Sequence, residues 1–479
     1  MKFAFKSSQR ESQPLEPETG RPQGGRLAGA GLGHWPPQSS NRAGRRAPLY
    51  VCAVALWIAF GAAGAWAAPR ETARAPASQN FGLSARAAIM IDAATGRVLY
   101  EHDADQPFLP ASLTKLMSLH IVYEKLKDRT IGRDDVVYLT RNAWANNQAP
   151  GSTLMHLGPG QIVTVEELMK GAAISSGNDA AVALAEYVAG STDKFVQLMN
   201  EESRFMGYRV THYEDPAGVG PDNRVTAREF ADFCRRYIEL HPEALGELHS
   251  LREFDYPLAR NMPDGRLPPR GTRRTYNHNG LVWDNLGVDG LKTGRFDGEN
   301  FTAAITAQRG ETRLIVVLLG VPGRSLIEGA RNRSDDGATL LTYGFNTYDT
   351  MELEPPRLGQ IGVWRGVARK LAVVAGAPVR LTLSDSELSN LQGVLEVQGP
   401  IVAPISRGEK VGEIVYSALG GEVGRIPVVA DEDVAGAGPI RQAMDWLVMG
   451  VSSLVGSPPR GERTVLDVGN SARLLSDRY

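Results

Sequence analysis

An apolar run over Ala87–Ile91, a break at Asp92-Ala93-Ala94-Thr95-Gly96 and a return over Arg97–Tyr100 predict two strands joined by a turn. Helical spacing of apolar positions follows over Leu113–Leu126, Val165–Ala173, Asp179–Ala189 and Glu229–Leu240. Thr164 and Glu167 have the spacing of a capping box ahead of the second helix. Two further strands, Phe301–Gln308 and Thr312–Leu319, flank the turn Arg309-Gly310-Glu311, and a helix is expected from Ile327 to Tyr348. Strands at both ends with helices between them argue for an α+β domain over residues 80–350. Past Pro355-Pro356 the texture changes to short Val-rich runs, among them Lys370–Val374, Val379–Leu383 and Gly412–Tyr416, which predict a small all-β domain over 357–430. Apolar residues then recur at Ile440, Ala443, Met444, Leu447, Val448, Val451, Leu454 and Val455. That spacing predicts an amphipathic helix over 439–456, with Pro439 suited to its first turn and residues 457–479 following as a polar tail.

The amino-terminal segment does not belong to this pattern. Residues 1–49 are rich in Gly, Pro, Gln, Ser and Arg and read as disordered. Arg45-Arg46 then precedes twenty uncharged residues, Leu49–Ala68, ending in the small-x-small site Ala65-Trp66-Ala67. This is the pattern of a secretory signal, so residues 1–67 are expected to be removed. Twenty residues also suffice for a membrane anchor, but the Ala and Gly content and the cleavage site favour export. Losing eight basic and three acidic residues with this segment takes the formal charge from −2 to −7.

The whole chain has 479 residues, 42% hydrophobic and 22% charged, which excludes a disordered chain, a collagen-like fibre and a multi-span membrane protein. Its charge gives no basis for nucleic-acid binding. The two cysteines, Cys52 and Cys234, cannot build a disulfide framework. Cys234 reads as a core thiol. No Cys/His cluster has zinc-ligand spacing, and neither cofactor nor metal is expected.

Three short motifs stand in order: Ser112-Leu113-Thr114-Lys115, Ser176-Gly177-Asn178 and Lys292-Thr293-Gly294. Each alone is weak, since Ser191-Thr192-Asp193-Lys194 and Ser78-Gln79-Asn80 fit the first two patterns equally well. Their order and local structure carry the weight. A serine hydroxyl needs a neighbouring base to attack a carbonyl. Positions i and i+3 share a helix face, so Lys115 can reach Ser112. Lysine serves as that base only with a lowered pKa, which burial in the apolar run around Ser112 and a like charge on Lys292 would give. Ser176 has a hydroxyl to relay a proton to a leaving amine, and Asn178 an amide to bind substrate, although Asn178 or Asp179 could equally cap the next helix. Lys292 and Thr293 offer a cation and a hydroxyl to a carboxylate, and Gly294 would let a substrate backbone come close. The N–H groups of Ser112 and Arg295 are the candidate oxyanion donors.

This ordered set is known in serine β-lactamases and penicillin-binding proteins. With its flanks, Pro110–Met117, Ile174–Ala180 and His278–Asn285, it closely resembles the D-alanyl-D-alanine carboxypeptidases among the low-molecular-mass penicillin-binding proteins. The likeness runs over about 80–455 and includes Asp215-Pro216-Ala217-Gly218, similar to the family's loop beside the active site. It implies a β-lactamase/transpeptidase-like domain: an antiparallel sheet with flanking helices and a helical cluster, followed by a β-sandwich stalk and an anchor helix. It also implies an acyl-enzyme on Ser112, peptidoglycan stem peptides as substrate, β-lactams as inhibitors, and periplasmic attachment to the inner-membrane surface. Arg333 resembles the family arginine that helps hold the terminal carboxylate, although an ordinary surface arginine also fits. Here Gly294-Arg295-Phe296 lacks the hydroxyl the family usually has two residues past that glycine. Arg295 would then compensate, and preference would move, for instance, toward cross-linked peptides. A serine β-lactamase is the alternative, but it usually has Asp inside the second motif and lacks the β domain. An endopeptidase and a non-catalytic cell-wall scaffold are the remaining readings.

Overall fold

The computed structural model describes residues 79–454 and 463–466, leaving out 269, 285, 297–299 and 398. The 1–67 segment, its cleavage site and most of the polar tail therefore lie outside the described residues.

The first part of the chain runs β1 (Ala87–Asp92), β2 (Val98–His102), a 3₁₀ turn at Ala111–Leu113, and α1 (Thr114–Lys127). The small strands β3 (Val136–Val137) and β4 (Val163–Thr164) pair, and α2 (Val165–Ala173), α3 (Asn178–Ala189), α4 (Thr192–Phe205) and α5 (Ala227–Leu240) follow. After the hairpin of β5 (Glu253–Tyr256) and β6 (Arg273–Tyr276) come β7 (Val288–Phe296), β8 (Asn300–Arg309), β9 (Thr312–Pro322) and the long α6 (Leu326–Thr347). The capping box of α2 is made as expected: Thr164 Oγ1 accepts from Glu167 N at 3.3 Å and Glu167 Oε2 from Thr164 N at 3.1 Å.

One antiparallel sheet, ordered β2-β1-β9-β8-β7, organises this part. Successive side chains on a strand point to opposite faces. Ile89, Ile91, Ile315 and Val317 pack with buried residues of α1, α2, α3 and α5. Their alternates Met90, Leu314, Val316 and Leu318 pack with Leu340 and Leu341 of α6. A sheet covered on both faces explains why Ala87–Ile91 and Leu314–Leu319 are unbroken apolar runs rather than alternating ones. Cys234 is fully buried in the first of these cores.

The second part has β10 (Asp349–Leu353), β11 (Gln360–Trp364), β12 (Lys370–Ala375), β13 (Val379–Leu383) and the short α7 (Asp385–Ser389). It continues with β14 (Gln392–Glu396), β15 (Ile401–Val402), β16 (Lys410–Ala418), β17 (Gly421–Ala430), α8 (Pro439–Leu454) and β18 (Arg463–Leu466). β10 pairs with β13, and the other seven strands form a sheet ordered β15-β11-β12-β17-β16-β14-β18. Leu371, Leu381, Ile414, Tyr416 and Val428 fill its core.

Two boundaries differ from expectation. Pairing in this part begins at Asp349, before Pro355-Pro356, because β10 returns against β13 across the proline break. Within the expected polar tail, Arg463–Leu466 pairs antiparallel with β14 and buries Leu466. Four residues are too few to show a periodicity, so only the open sheet edge reveals this strand. On α8, Arg441, Gln442 and Asp445 bond to the backbone or side chain of Arg365 and Val367, whereas Ile440, Trp446 and Leu447 remain 79%, 69% and 61% exposed. Over its described side chains the helix therefore turns polar residues to the loop after β11 and apolar residues outward.

Candidate active site

Ser112 lies on the 3₁₀ turn, and α1 begins two residues later. Lys115, in the first turn of α1, is 0% exposed, so an ammonium there has lost its water. Its Nζ stands 3.0 Å from Ser112 Oγ, 2.7 Å from Asn178 Oδ1 and 2.9 Å from the carbonyl of Ala217. Burial pushes its pKa down to about 7, against the smaller opposing pull of Asp215 and Asp179. Two of its three partners can only accept hydrogen bonds; the third, the serine hydroxyl, can donate. A neutral amine fits this set fully, with two N–H donors for the carbonyl oxygens and its lone pair for the Ser112 proton.

The second motif sits between α2 and α3. Ser176 is buried in a left-handed conformation with φ of 55°. Its Oγ is 3.0 Å from Lys292 Nζ, which also donates to the Thr293 carbonyl at 3.0 Å. Burial, then the positive charges of Lys115 and Arg333, lowers the pKa of Lys292. Asn178 Nδ2 donates to Ser152 Oγ at 3.0 Å, and Asn178 N to the Thr153 carbonyl at 2.9 Å. Neither Asn178 nor Asp179 caps the helix through its side chain: the cap position is Gly177. The Asp179 carboxylate instead accepts from Met155 N at 2.8 Å and Leu157 N at 2.9 Å, fixing the 152–157 segment beside the motif.

The third motif lies on the edge strand β7. Thr293 and Arg295 are two residues apart, and both line an open cleft of about 820 Å³ with Ser112, Ser176, Asn178 and Phe296. Gly294 lines it too, but its lack of a side chain serves the protein's own chain. A Cβ there would lie 2.5 Å from Thr302 Oγ1 and 3.0 Å from both Pro110 O and Ser112 N, so only glycine lets β7 run against the turn carrying the serine. Arg333 is buried rather than on the surface. Its guanidinium donates to the carbonyls of Gly294 at 3.3 Å and His278 at 2.9 Å, and burial lowers its pKa to about 10. His278, also at the cleft, is pushed down to about 4 by burial and then by Lys292 and Arg333.

All nine candidates (Ser112, Lys115, Ser176, Asn178, Lys292, Thr293, Gly294, Arg295 and Arg333) thus lie at one cleft or directly behind it. The described residues of the two decoys do not, Ser78 lying outside them. Ser191 Oγ caps α4 by accepting from Lys194 N at 3.3 Å, and Asn80 Oδ1 accepts from Gly82 N at 2.9 Å.

Two groups at the site carry no side-chain signal. One is the Ala217 carbonyl. It is aimed by the Asp215 carboxylate, which accepts from the backbone N–H groups of Ala217, Gly218, Val219 and Gly220 and from Asn223 Nδ2. The other is Gly218, at φ +81°, where a Cβ would lie 1.9 Å from the Ala111 carbonyl. An aspartate followed by Pro-Ala-Gly is the trace such a loop leaves in sequence.

A family model described as D-alanyl-D-alanine carboxypeptidase matches residues 71–323. The chain belongs to the D-alanyl-D-alanine carboxypeptidase family. A second model, described as the C-terminal domain of penicillin-binding protein 5, matches residues 356–435. Within the family, the D-alanyl-D-alanine carboxypeptidase DacC of Escherichia coli is 33% identical over 397 residues, covering 81% of this chain and 93% of that protein. DacA of the same organism is 30% identical over 374 residues, with coverages of 76% and 87%. Among solved structures, penicillin-binding protein 5 from Haemophilus influenzae is 28% identical with a TM-score of 0.64, over 74% of this chain and 98% of that one. Penicillin-binding protein 6B from Escherichia coli is 28% identical with a TM-score of 0.57, over 75% and 99%. The family fold, a transpeptidase-like domain followed by an all-β domain, is the fold described above.

Proposed function

We propose that the chain is a serine-type D-Ala-D-Ala carboxypeptidase that trims peptidoglycan stem pentapeptides through an acyl-enzyme and is inhibited by β-lactams. The observation that carries this reading is the contact set of Lys115. A fully buried amine with a pKa near 7 touches the Ser112 hydroxyl and is otherwise held by two acceptors. Such a group takes a proton at neutral pH without leaving any partner unsatisfied.

The Ser112 oxygen attacks the carbonyl carbon of the penultimate D-alanine as its proton passes to Lys115 Nζ. The N–H groups of Ser112 and Arg295 hold the oxyanion. As the C–N bond breaks, the Ser176 hydroxyl gives its proton to the leaving nitrogen, and the proton held by Lys115 replaces it by way of the Ser176–Lys292 pair, so that Lys115 is neutral again. Water then attacks the ester carbonyl and gives a proton to Lys115, which passes it to Ser112 Oγ as the C–O bond to the serine breaks, and the shortened peptide leaves with a new carboxylate. Asn178 binds a substrate amide. Thr293 and Arg295 hold the terminal carboxylate, and Arg333 adds its charge from behind β7 while bracing the carbonyls of Gly294 and His278. A β-lactam carbonyl acylates the same serine. The 1–67 segment directs export, and the outward apolar side of α8 lies in the interface of the inner membrane.

The test is release of D-alanine from a pentapeptide, with a cross-linked dimer run beside it and a fluorescent penicillin as active-site label. Release from the pentapeptide, with labelling abolished in Ser112→Ala, is expected. A wild-type chain that neither labels nor releases D-alanine refutes the proposal, and cleavage of the dimer alone makes the chain an endopeptidase.

A further inference from the structure

Away from the cleft, two histidines far apart in sequence meet in the interior. His120 and Glu124 are four residues apart on α1 and share a face, and His241 is the residue that closes α5. His120 Nδ1 and His241 Nε2 are 2.8 Å apart, both residues being buried, and Glu124 Oε1 stands 3.6 Å from His241 Nε2. One ligand atom from each of the three lies within 4.8 Å of the others. Glu124 Oε1 is itself covered and takes no hydrogen bond from the described residues. On the far side of His120, Glu202 of α4 lies 3.4 Å from Nε2. Tyr123 stacks on His241 at 4.9 Å, and Phe233 meets His120 edge-on at 6.0 Å.

We propose that His120, Glu124 and His241 form a Zn²⁺ site, completed by one water, that fastens α1 to the end of α5. Two imidazole nitrogens and one carboxylate oxygen are a donor set that zinc prefers. Glu202 supplies what metal-bound histidines usually have behind them. A carboxylate accepting the Nε2 proton fixes the tautomer and leaves the Nδ1 lone pair pointing at the site. At bond lengths of about 2.0–2.1 Å, tetrahedral ligand atoms stand about 3.3 Å apart. The 2.8 Å pair then opens by roughly 0.5 Å, the 3.6 Å pair closes by roughly 0.3 Å, and the third, within 4.8 Å, closes by up to roughly 1.5 Å, a change that rotation of the part-exposed Glu124 side chain supplies. The rings of Tyr123 and Phe233 limit water at the site and lower its local dielectric. Glu124, whose side chain is 37% exposed, is the way in from solvent, and Lys127, 4.0 Å from the same oxygen, is exposed enough to swing aside. The site is five residues beyond Lys115, about 7.5 Å along the helix. It therefore braces the helix that carries the base and takes no part in the chemistry at the cleft. The histidines are 121 residues apart, so ligand spacing along the chain could not reveal them.

The purified chain, stripped with a chelator, is titrated with Zn²⁺ alone and with Co²⁺ alone. One ion per chain, the visible absorption of tetrahedral Co²⁺ and a Tm increase of several degrees at a hundredfold excess over Kd are expected. Glu124→Gln, isosteric and at a part-exposed position, should weaken Zn²⁺ binding at least about tenfold. Glu202→Gln should weaken it about 10–100-fold without changing the stoichiometry. Penicillin labelling is followed in parallel, so that failure of the metal site and failure of the carboxypeptidase reading are told apart. No stoichiometric binding, octahedral Co²⁺, or an affinity unchanged in Glu124→Gln overturns the proposal and leaves the histidines as a buried hydrogen-bonded pair. His241→Gln should abolish binding; if that variant fails to fold, Glu124→Gln decides.

Discussion

Replacing Asn178 by Asp tests the base directly. The substitution keeps the shape of the side chain but puts a carboxylate 2.7 Å from Lys115 Nζ, where an amide oxygen now stands. An opposite charge at that distance favours the protonated amine and raises its pKa by about 1–3 units. From about 7, the group moves to about 8–10. In the proposed mechanism the neutral amine is the form that takes the Ser112 proton, so the acylation rate should rise with pH through this pKa. For the wild type, the rate should rise about tenfold between pH 6 and 8 and then level off. An unperturbed lysine would instead give a rise of about tenfold per unit with no plateau in that range. In Asn178→Asp, the neutral fraction at pH 7 falls from about one half to between about 9% and 0.1%, slowing acylation by about 5- to 500-fold. That loss should shrink as pH rises, with the midpoint displaced upward. The assay is the second-order rate of labelling by a fluorescent penicillin from pH 6 to 10. If the variant is slowed by the same factor at every pH, with its midpoint unmoved, Asn178 acts only on substrate and Lys115 is not the base.

Three further outcomes are expected. Gly218→Ala forces a methyl group against the Ala111 carbonyl, displacing the loop and the Ala217 carbonyl from Lys115; labelling should fall by up to about 100-fold, and an unchanged rate would mean the loop has slack. Asp215→Asn removes the charge that gathers four backbone N–H groups and should cost about 1–3 kcal/mol in denaturant unfolding, with acylation lowered in the folded protein. Ile440→Glu with Leu447→Glu should weaken partition onto anionic lipid vesicles by about 10–100-fold and leave labelling unchanged. Equal vesicle binding by the double variant would remove α8 as the membrane contact.

Much of the first part was legible because its elements are long and periodic. α2, α5, α6 and the β8–β9 hairpin were each expected within a few residues of their observed bounds, and the three motifs, singled out by their order, lie together at one cleft. The 3₁₀ turn beneath Ser112, the β10–β13 pair across Pro355-Pro356 and the β18 edge strand were not legible. Each is short, and each is stabilised by a partner distant in sequence rather than by its own pattern. Arg333 shows the same limit: an arginine is ordinarily expected at the surface, and only the carbonyls of Gly294 and His278 around it account for its burial.

The order of residues alone settles which chemical groups are available and which local segments are helix or strand, because propensity, capping and periodicity act within a few residues. It supplied a serine and a lysine one turn apart, a second serine and a second lysine. It takes the folded chain to strip Lys115 of its water, to bring Lys292 to Ser176 and to close the ring around the amine with the Ala217 carbonyl. Those facts depend on residues about 60–120 positions apart coming into contact, and a pKa is set by what surrounds a group in space, not by its neighbours along the chain.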